Sequence, residues 1–261
     1  MMGAIAGDVI GSVYEARPIK HKDFPLFSTG ATFTDDSVLT VAVADTLLSD
    51  GDYVRAFHQY FARHPGRGFG ASFADWAASR RTFAYGSYGN GAAMRVSPVA
   101  WAEDSLASVL SEAKRSAAVT HDHPEGLKGA MATAAAIFLA RTGEGKDRIR
   151  SYLSERFDYS LERGLDVIRP NYAFDVSCQG SVPESIIAFL ESTDFEDALR
   201  NAISLGGDAD TMACIAGAVA EAHYGGLPPA LEAETRARLT PDLLEIVDAF
   251  QNRFQGPRRY E

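Results

Sequence analysis

Apolar residues recur every three to four positions along most of this chain, and strict apolar–polar alternation is almost absent. The first pattern lays a stripe along a helix, whereas the second would mark a half-buried strand. The spacing predicts helices over about 36–49, 52–63, 105–118, 126–141, 146–156, 182–191, 195–204, 210–223 and 241–254. Several ends are legible. Asp50-Gly51-Asp52 closes one helix and opens the next, and Thr240-Pro241 sets proline at a first helical position, where its missing N–H costs nothing. Three segments break the pattern: the glycine-rich loops 64–70 (HPGRGFG) and 86–91 (GSYGNG), and the connector 169–183 (RPNYAFDVSCQGSVP), expected to be non-helical. No internal repeat, low-complexity tract or long linker intervenes. The short connections favour closely packed successive helices, so the expected fold is all-α, one compact orthogonally packed domain over 1–261.

Composition narrows the partners. A chain of 261 residues can bury a large core. Its formal charge of −10 argues against a broad grip on duplex nucleic acid, which needs clustered Lys and Arg. A nucleotide-sized ligand stays compatible, because loop N–H groups can hold phosphate. Cys178 and Cys214 show no CxxC spacing, and Cys214 in its apolar run is expected as a buried thiol. The opening stretch lacks a basic region and carries Asp8, so it does not read as a signal peptide. No apolar run approaches transmembrane length. The expected compartment is the cytoplasm, with no membrane partner; oligomeric state is not legible.

The candidate chemistry sits in three segments. In FTDDSVLTVAVADTLL, Thr34, Asp35 and Asp36 precede an apolar helical run. In GGDADTMACIAGAVAEA, Asp208, Asp210 and Thr211 open another, after Gly206-Gly207. Each alone fits helix capping, and the second fits a metal site equally well. The double glycine exceeds what a turn requires and lets backbone and ligand approach closely. An EF-hand is excluded, since the third acidic position, central glycine and closing glutamate are missing. Together the two mouths supply four carboxylates and two hydroxyls, hard oxygen donors suited to Mg²⁺, Mn²⁺ or Ca²⁺ rather than zinc. In the third segment, Gly86 to Gly91 has the G-x-x-x-x-G frame of a P-loop, but Ala92-Ala93 replaces Lys-Ser/Thr, so that reading fails. A turn with exposed N–H groups remains, either structural or a phosphate cradle.

In order along the chain, GAIAGDVIGSVYE, FTDDS, GSYGNGAAMR and GGDADT resemble the ADP-ribosylglycohydrolase family, which includes the dinitrogenase reductase-activating glycohydrolases. The resemblance implies an all-α fold with a cleft holding two divalent cations, Mg²⁺ or Mn²⁺. It implies Thr34, Asp35, Asp36, Asp208, Asp210 and Thr211 as ligands. Ser87, Tyr88, Gly89, Asn90 and Gly91 match the loop that holds the diphosphate and neighbouring ribose. Met94 completes that motif with Arg95, which also fits a structural role. His121 matches a histidine near the substrate; His123 is a weaker match. Glu15 matches an acidic residue near the metals or gating the cleft, and Asp8 is expected as a structural hydrogen-bonding residue. Gly66–Gly70 resembles a loop of bacterial members and equally fits a turn. Tyr172 or Phe174 falls where adenine would stack, and Trp76 and Trp101 are expected in the core.

The implied activity is hydrolysis at the anomeric carbon of ADP-ribose, freeing it from a modified acceptor, with Asp35, Asp36 or Glu15 transferring protons. The implied partner is ADP-ribose or an ADP-ribosylated substrate, an ADP-ribosylated base included. Rival readings are a non-enzymatic ADP-ribose reader or crystallin-like protein, and a metal-dependent phosphohydrolase.

Overall fold

A computed structural model of the chain describes residues 1–255. Its first helix, α1 (Met2–Gly11), is one that periodicity did not announce. There follow α2 (Asp35–Ser49), α3 (Tyr53–Arg63), α4 (Ala71–Ala78), α5 (Gly91–Met94) and α6 (Ser97–Ala102). Next come α7 (Leu106–Ala118), α8 (Pro124–Arg141), α9 (Lys146–Phe157), α10 (Leu165–Ile168) and α11 (Cys178–Leu190). The last are α12 (Phe195–Ile203), α13 (Ala209–Tyr224), α14 (Pro229–Arg236) and α15 (Pro241–Phe250), which continues as a π-turn over Gln251–Gln255. No strand forms among the described residues; an isolated antiparallel bridge joins Gly89 to Ser177. The all-α expectation holds, and the nine expected helices appear within a few residues of their expected ends. No helix among the described residues is long and apolar enough to cross a membrane.

At the centre runs α13, buried from Ala209 to Ala222 and packed against α1, α8, α11 and α12. Its tightest neighbour is α1. Gly3, Gly7 and Gly11 fall four residues apart, so they share one helix face. A Cβ on Gly7 would lie 2.1 Å from the Ala213 carbonyl oxygen, one on Gly3 2.2 Å from that of Gly217, and one on Gly11 2.5 Å from Asp210 Cα. Gly217 answers from the other side, where a Cβ would sit 2.3 Å from the Gly3 carbonyl. Backbone packs on backbone. Each interior glycine costs a helix about 1 kcal/mol against alanine, which is why α1 is hard to expect from the sequence; tertiary contact overrides that preference. Glu221 on α13 closes the seam, its carboxylate accepting from the N–H groups of Met2 (3.2 Å) and Gly3 (2.8 Å).

One expected boundary is corrected. The connector expected over 169–183 turns helical at Cys178, because Ser177 caps α11 by accepting from Gly180 N–H at 3.1 Å. Pro183 lies inside α11, leaving one backbone N–H absent from its early turns. Trp76 is fully buried, its Nε1 donating to the Phe83 carbonyl at 2.9 Å, while Trp101 packs half-buried on the core edge.

The seam yields a direct test. Gly7→Ala gains about 1 kcal/mol of helix propensity, but its methyl meets backbone that cannot rotate aside, and overpacking costs about 1–3 kcal/mol or more. Urea denaturation should give a net loss of stability; unchanged or raised stability would show that α1 and α13 can part at no cost.

Candidate active-site cleft

The α1–α13 seam brings together the two acidic mouths. Asp8, fully buried on α1, reaches the start of α2. Its carboxylate accepts from Thr34 N–H (2.9 Å), Thr34 Oγ1 (2.7 Å), Ser37 N–H (3.0 Å) and Ser37 Oγ. Asp8 thereby satisfies donors that a helix start leaves open. Thr34 is the N-cap residue of α2, its Oγ1 accepting weakly from Asp36 N–H at 3.3 Å. Asp35 N–H is taken by the Arg67 carbonyl at 2.7 Å, so the 66–70 loop braces this mouth, and Gly68 and Gly70 line the cleft.

Asp208, Asp210 and Thr211 arrive at the start of α13. Gly206 takes the turn at φ 65°, which suits glycine. Gly207 makes room for Tyr172, whose Cε1 would lie 2.4 Å from a Cβ there, so the close approach at the double glycine is to a tyrosine ring. The mouths meet directly, with Thr211 Oγ1 donating to Asp36 Oδ2 at 3.3 Å. Carboxylate oxygens of Asp8, Asp36 and Asp210 lie within 4.8 Å of one another, as do those of Glu15, Asp208 and Asp210. Asp35 lines the same cleft but belongs to neither trio.

These acids are poorly neutralised by the protein. Burial is the largest force raising the pKa of each. It pushes Asp35 up to about 8 and drives Asp36 and Asp210 well above the ordinary carboxylate range, with neighbouring carboxylates adding to the rise. Asp8, Asp208 and the more exposed Glu15 are raised too, chiefly by burial. Asp36 Oδ1 is buried and receives no hydrogen bond. An all-oxygen donor set with an orphaned buried carboxylate oxygen fits a hard divalent cation, which takes such oxygens as ligands.

Opposite the acids lies the glycine loop, in a cleft of about 370 Å³. Ser87, Gly89, Asn90, Gly91, Met94 and His121 all line it. Tyr88 does not; its ring is half exposed and sits 5.3 Å from that of His123, outside the lining. The loop is pinned to the entry into α11: Asn90 N–H donates to the Val176 carbonyl (2.7 Å) and Cys178 N–H to that of Tyr88 (2.8 Å). Asn90 Nδ2 donates to Asp208 Oδ2 at 2.8 Å, tying loop to acidic cluster. Met94 is buried against Thr211, its sulfur 3.9 Å from the hydroxyl. Phe174 is exposed, whereas Tyr172 spends its hydroxyl on the Gly180 carbonyl; neither lines the cleft. Sequence reasoning missed the lining from Phe73 and Tyr85, and the Asn90–Asp208 contact. Only the GRGFG and GSYGNG glycines hinted at loops folded over a ligand.

Helices that bury carboxylates opposite a glycine-rich loop define the class first, an all-α fold around an acidic cleft. The sequence profile of the ADP-ribosylglycohydrolase family matches residues 1–259, and the chain belongs to that family. It is 28% identical over 306 aligned positions to the ADP-ribosylhydrolase ARH3 of Bos taurus, an alignment covering 86% of this chain and 84% of that protein. The ADP-ribosylarginine hydrolase Tri1 of Pseudomonas putida is 26% identical over 269 positions, covering 88% of this chain and 71% of the relative. A solved ADP-ribosylglycohydrolase-related protein complex superposes with a TM-score of 0.72 at 22% identity, covering 95% of this chain and 96% of its own, and shows the same fold.

The raised carboxyls set a pH dependence. They keep protons in the folded state that the unfolded chain releases, so without cations stability falls as pH rises from about 4 towards 8. Thermal melts in chelator should show Tm dropping across pH 5–8. Mg²⁺ or Mn²⁺ should restore it most at pH 8, by about 2–4 °C per kcal/mol recovered. A Tm that climbs to pH 8 in chelator and ignores cations would contradict this electrostatic picture.

Proposed function

We propose that this chain is a cytoplasmic, divalent-cation-dependent hydrolase that frees ADP-ribose from a modified acceptor by cleaving the bond at the anomeric carbon of the distal ribose. The observation that carries the reading is the convergence of both aspartate mouths, with the orphaned Asp36 oxygen, opposite the 87–91 loop. The relatives named as ADP-ribosylhydrolases favour this chemistry over phosphate hydrolysis.

Thr34, Asp35, Asp36, Asp208, Asp210 and Thr211 are the residues assigned to hold two cations, Mg²⁺ or Mn²⁺. Bound there, the ions supply Lewis-acid charge that orients hydroxyls and acidifies water. The protein's own groups do the rest. The Ser87–Gly91 loop, which lines the cleft through Ser87, Gly89, Asn90 and Gly91, faces the diphosphate, and Met94 and His121 shape the ribose end. The reacting sugar gains oxocarbenium character, which buried carboxylates stabilise. Asp36 or Glu15 takes the proton from water, Glu15 from the more exposed rim. Asp35 completes the set.

Purified protein with Mg²⁺ or Mn²⁺ should be offered ADP-ribosylated arginine, serine, nucleic-acid base and acyl conjugates, with products identified by mass spectrometry. Release of intact ADP-ribose is expected, and Asp208→Ala/Asp210→Ala should lower it at least about 100-fold, equivalent to about 3 kcal/mol. AMP as the product would favour a phosphohydrolase. Tight ADP-ribose binding with no release from any conjugate would favour a reader.

A further inference from the structure

Arg95 and Thr120 have no part in the chemistry above, yet they stand directly behind His121. Arg95 is fully buried, its guanidinium 4.3 Å over the Phe57 ring, and no carboxylate forms an ion pair with it among the described residues. Its Nη2 donates to the Ser116 carbonyl (3.2 Å) and to Thr120 Oγ1 (2.8 Å). Thr120 Oγ1 in turn lies 2.8 Å from His121 Nδ1. Direction follows from the inventory of protons. A guanidinium only donates, so the Thr120 hydroxyl accepts from Arg95 and has one proton of its own to give. Arg95 cannot receive it, and His121 Nδ1 is the other hydrogen-bond partner of that hydroxyl. The hydroxyl could accept a second time, from an Nδ1–H, but its own proton would then lack a partner; pairing that proton makes Nδ1 the acceptor and puts the neutral ring's proton on Nε2.

Nε2 is the atom that faces the glycine loop. A Cβ on Gly91 would lie 3.3 Å from it and one on Gly89 3.8 Å, so these glycines leave the edge of the ring open towards the cleft. We propose that Arg95 and Thr120 are positioning residues. The chain of donors Arg95 to Thr120 to His121 fixes the Nε2–H tautomer and aims that N–H at an oxygen of the ligand held by the 87–91 loop. His121 is thereby a fixed donor, not a proton acceptor. An imidazolium would present a second donor to Thr120 and strand the hydroxyl's proton. Burial and the Arg95 charge, which hold the His121 pKa well below its ordinary value, act in the same direction.

The tautomer stands on the hydrogen bonds alone; its effect on ligand binding rests on the ADP-ribose reading. The test is ¹⁵N NMR of the imidazole near neutral pH, with ADP-ribose affinity measured by calorimetry on the same samples in Mg²⁺. Wild type should show a protonated Nε2 and a bare Nδ1, and Thr120→Ser should keep both signature and affinity. Thr120→Val removes the hydroxyl at constant shape; it should blur the tautomer and weaken ADP-ribose binding about tenfold. A protonated Nδ1 or an imidazolium in wild type overturns the proposal, as does an unchanged signature in Thr120→Val. If Thr120→Val fails to fold, the wild-type and Thr120→Ser spectra still decide. The predicted tautomer without any ADP-ribose binding upholds the donor chain and sinks the ADP-ribose reading instead.

Discussion

The contact of α1 with α13 is made by main chain on main chain, with Gly3, Gly7 and Gly11 set against Gly217, Ala213 and Asp210. No side chain is available there to absorb a misfit, so the register between the helices is fixed to within a methyl group. That register carries the cleft. Asp8 projects from α1 to close the start of α2, and Asp210 stands at the start of α13 beside Gly11. Two acidic mouths far apart in sequence are thus held within reach of shared ligands.

The same groups serve local structure and the site. Thr34 caps α2 while leaning on Asp8, and Asn90 ties the glycine loop to Asp208. Buried carboxylates at helix starts gain from the helix dipole, but that gain is a fraction of what burying several like charges costs. The cluster is a standing debt in stability, the signature of a place kept for function.

How much of this was legible depended on whether a residue's task is local. Helices with an amphipathic stripe and a capping residue declared themselves, and FTDDS and GGDADT stood out because two helix mouths repeat the same two aspartates and threonine. Tasks set by a distant partner were silent. Gly3, Gly7 and Gly11 weaken a helix in isolation, and only α13 explains them. The first turn of α11, expected only from residue 182, forms because Ser177 caps it at Cys178. Tyr88 matched the loop motif yet turns outward, while Tyr85, outside the motif's core, lines the cleft. The donor chain behind His121 joins Arg95 to Thr120 across 25 residues of sequence, and no spacing rule points to such a pair.

The acidic wall and the glycine-rich loop face each other across one small cleft, which makes them thermodynamic partners. With its carboxylates charged and bare, the wall repels any anion that the loop would attract. Cations on the wall reverse that repulsion, and an anion on the loop tightens the hold on cations by the same factor, since coupling between two sites is reciprocal. The Asn90–Asp208 hydrogen bond joins the two halves of the cleft, so cations on one and an anion on the other would fill it cooperatively.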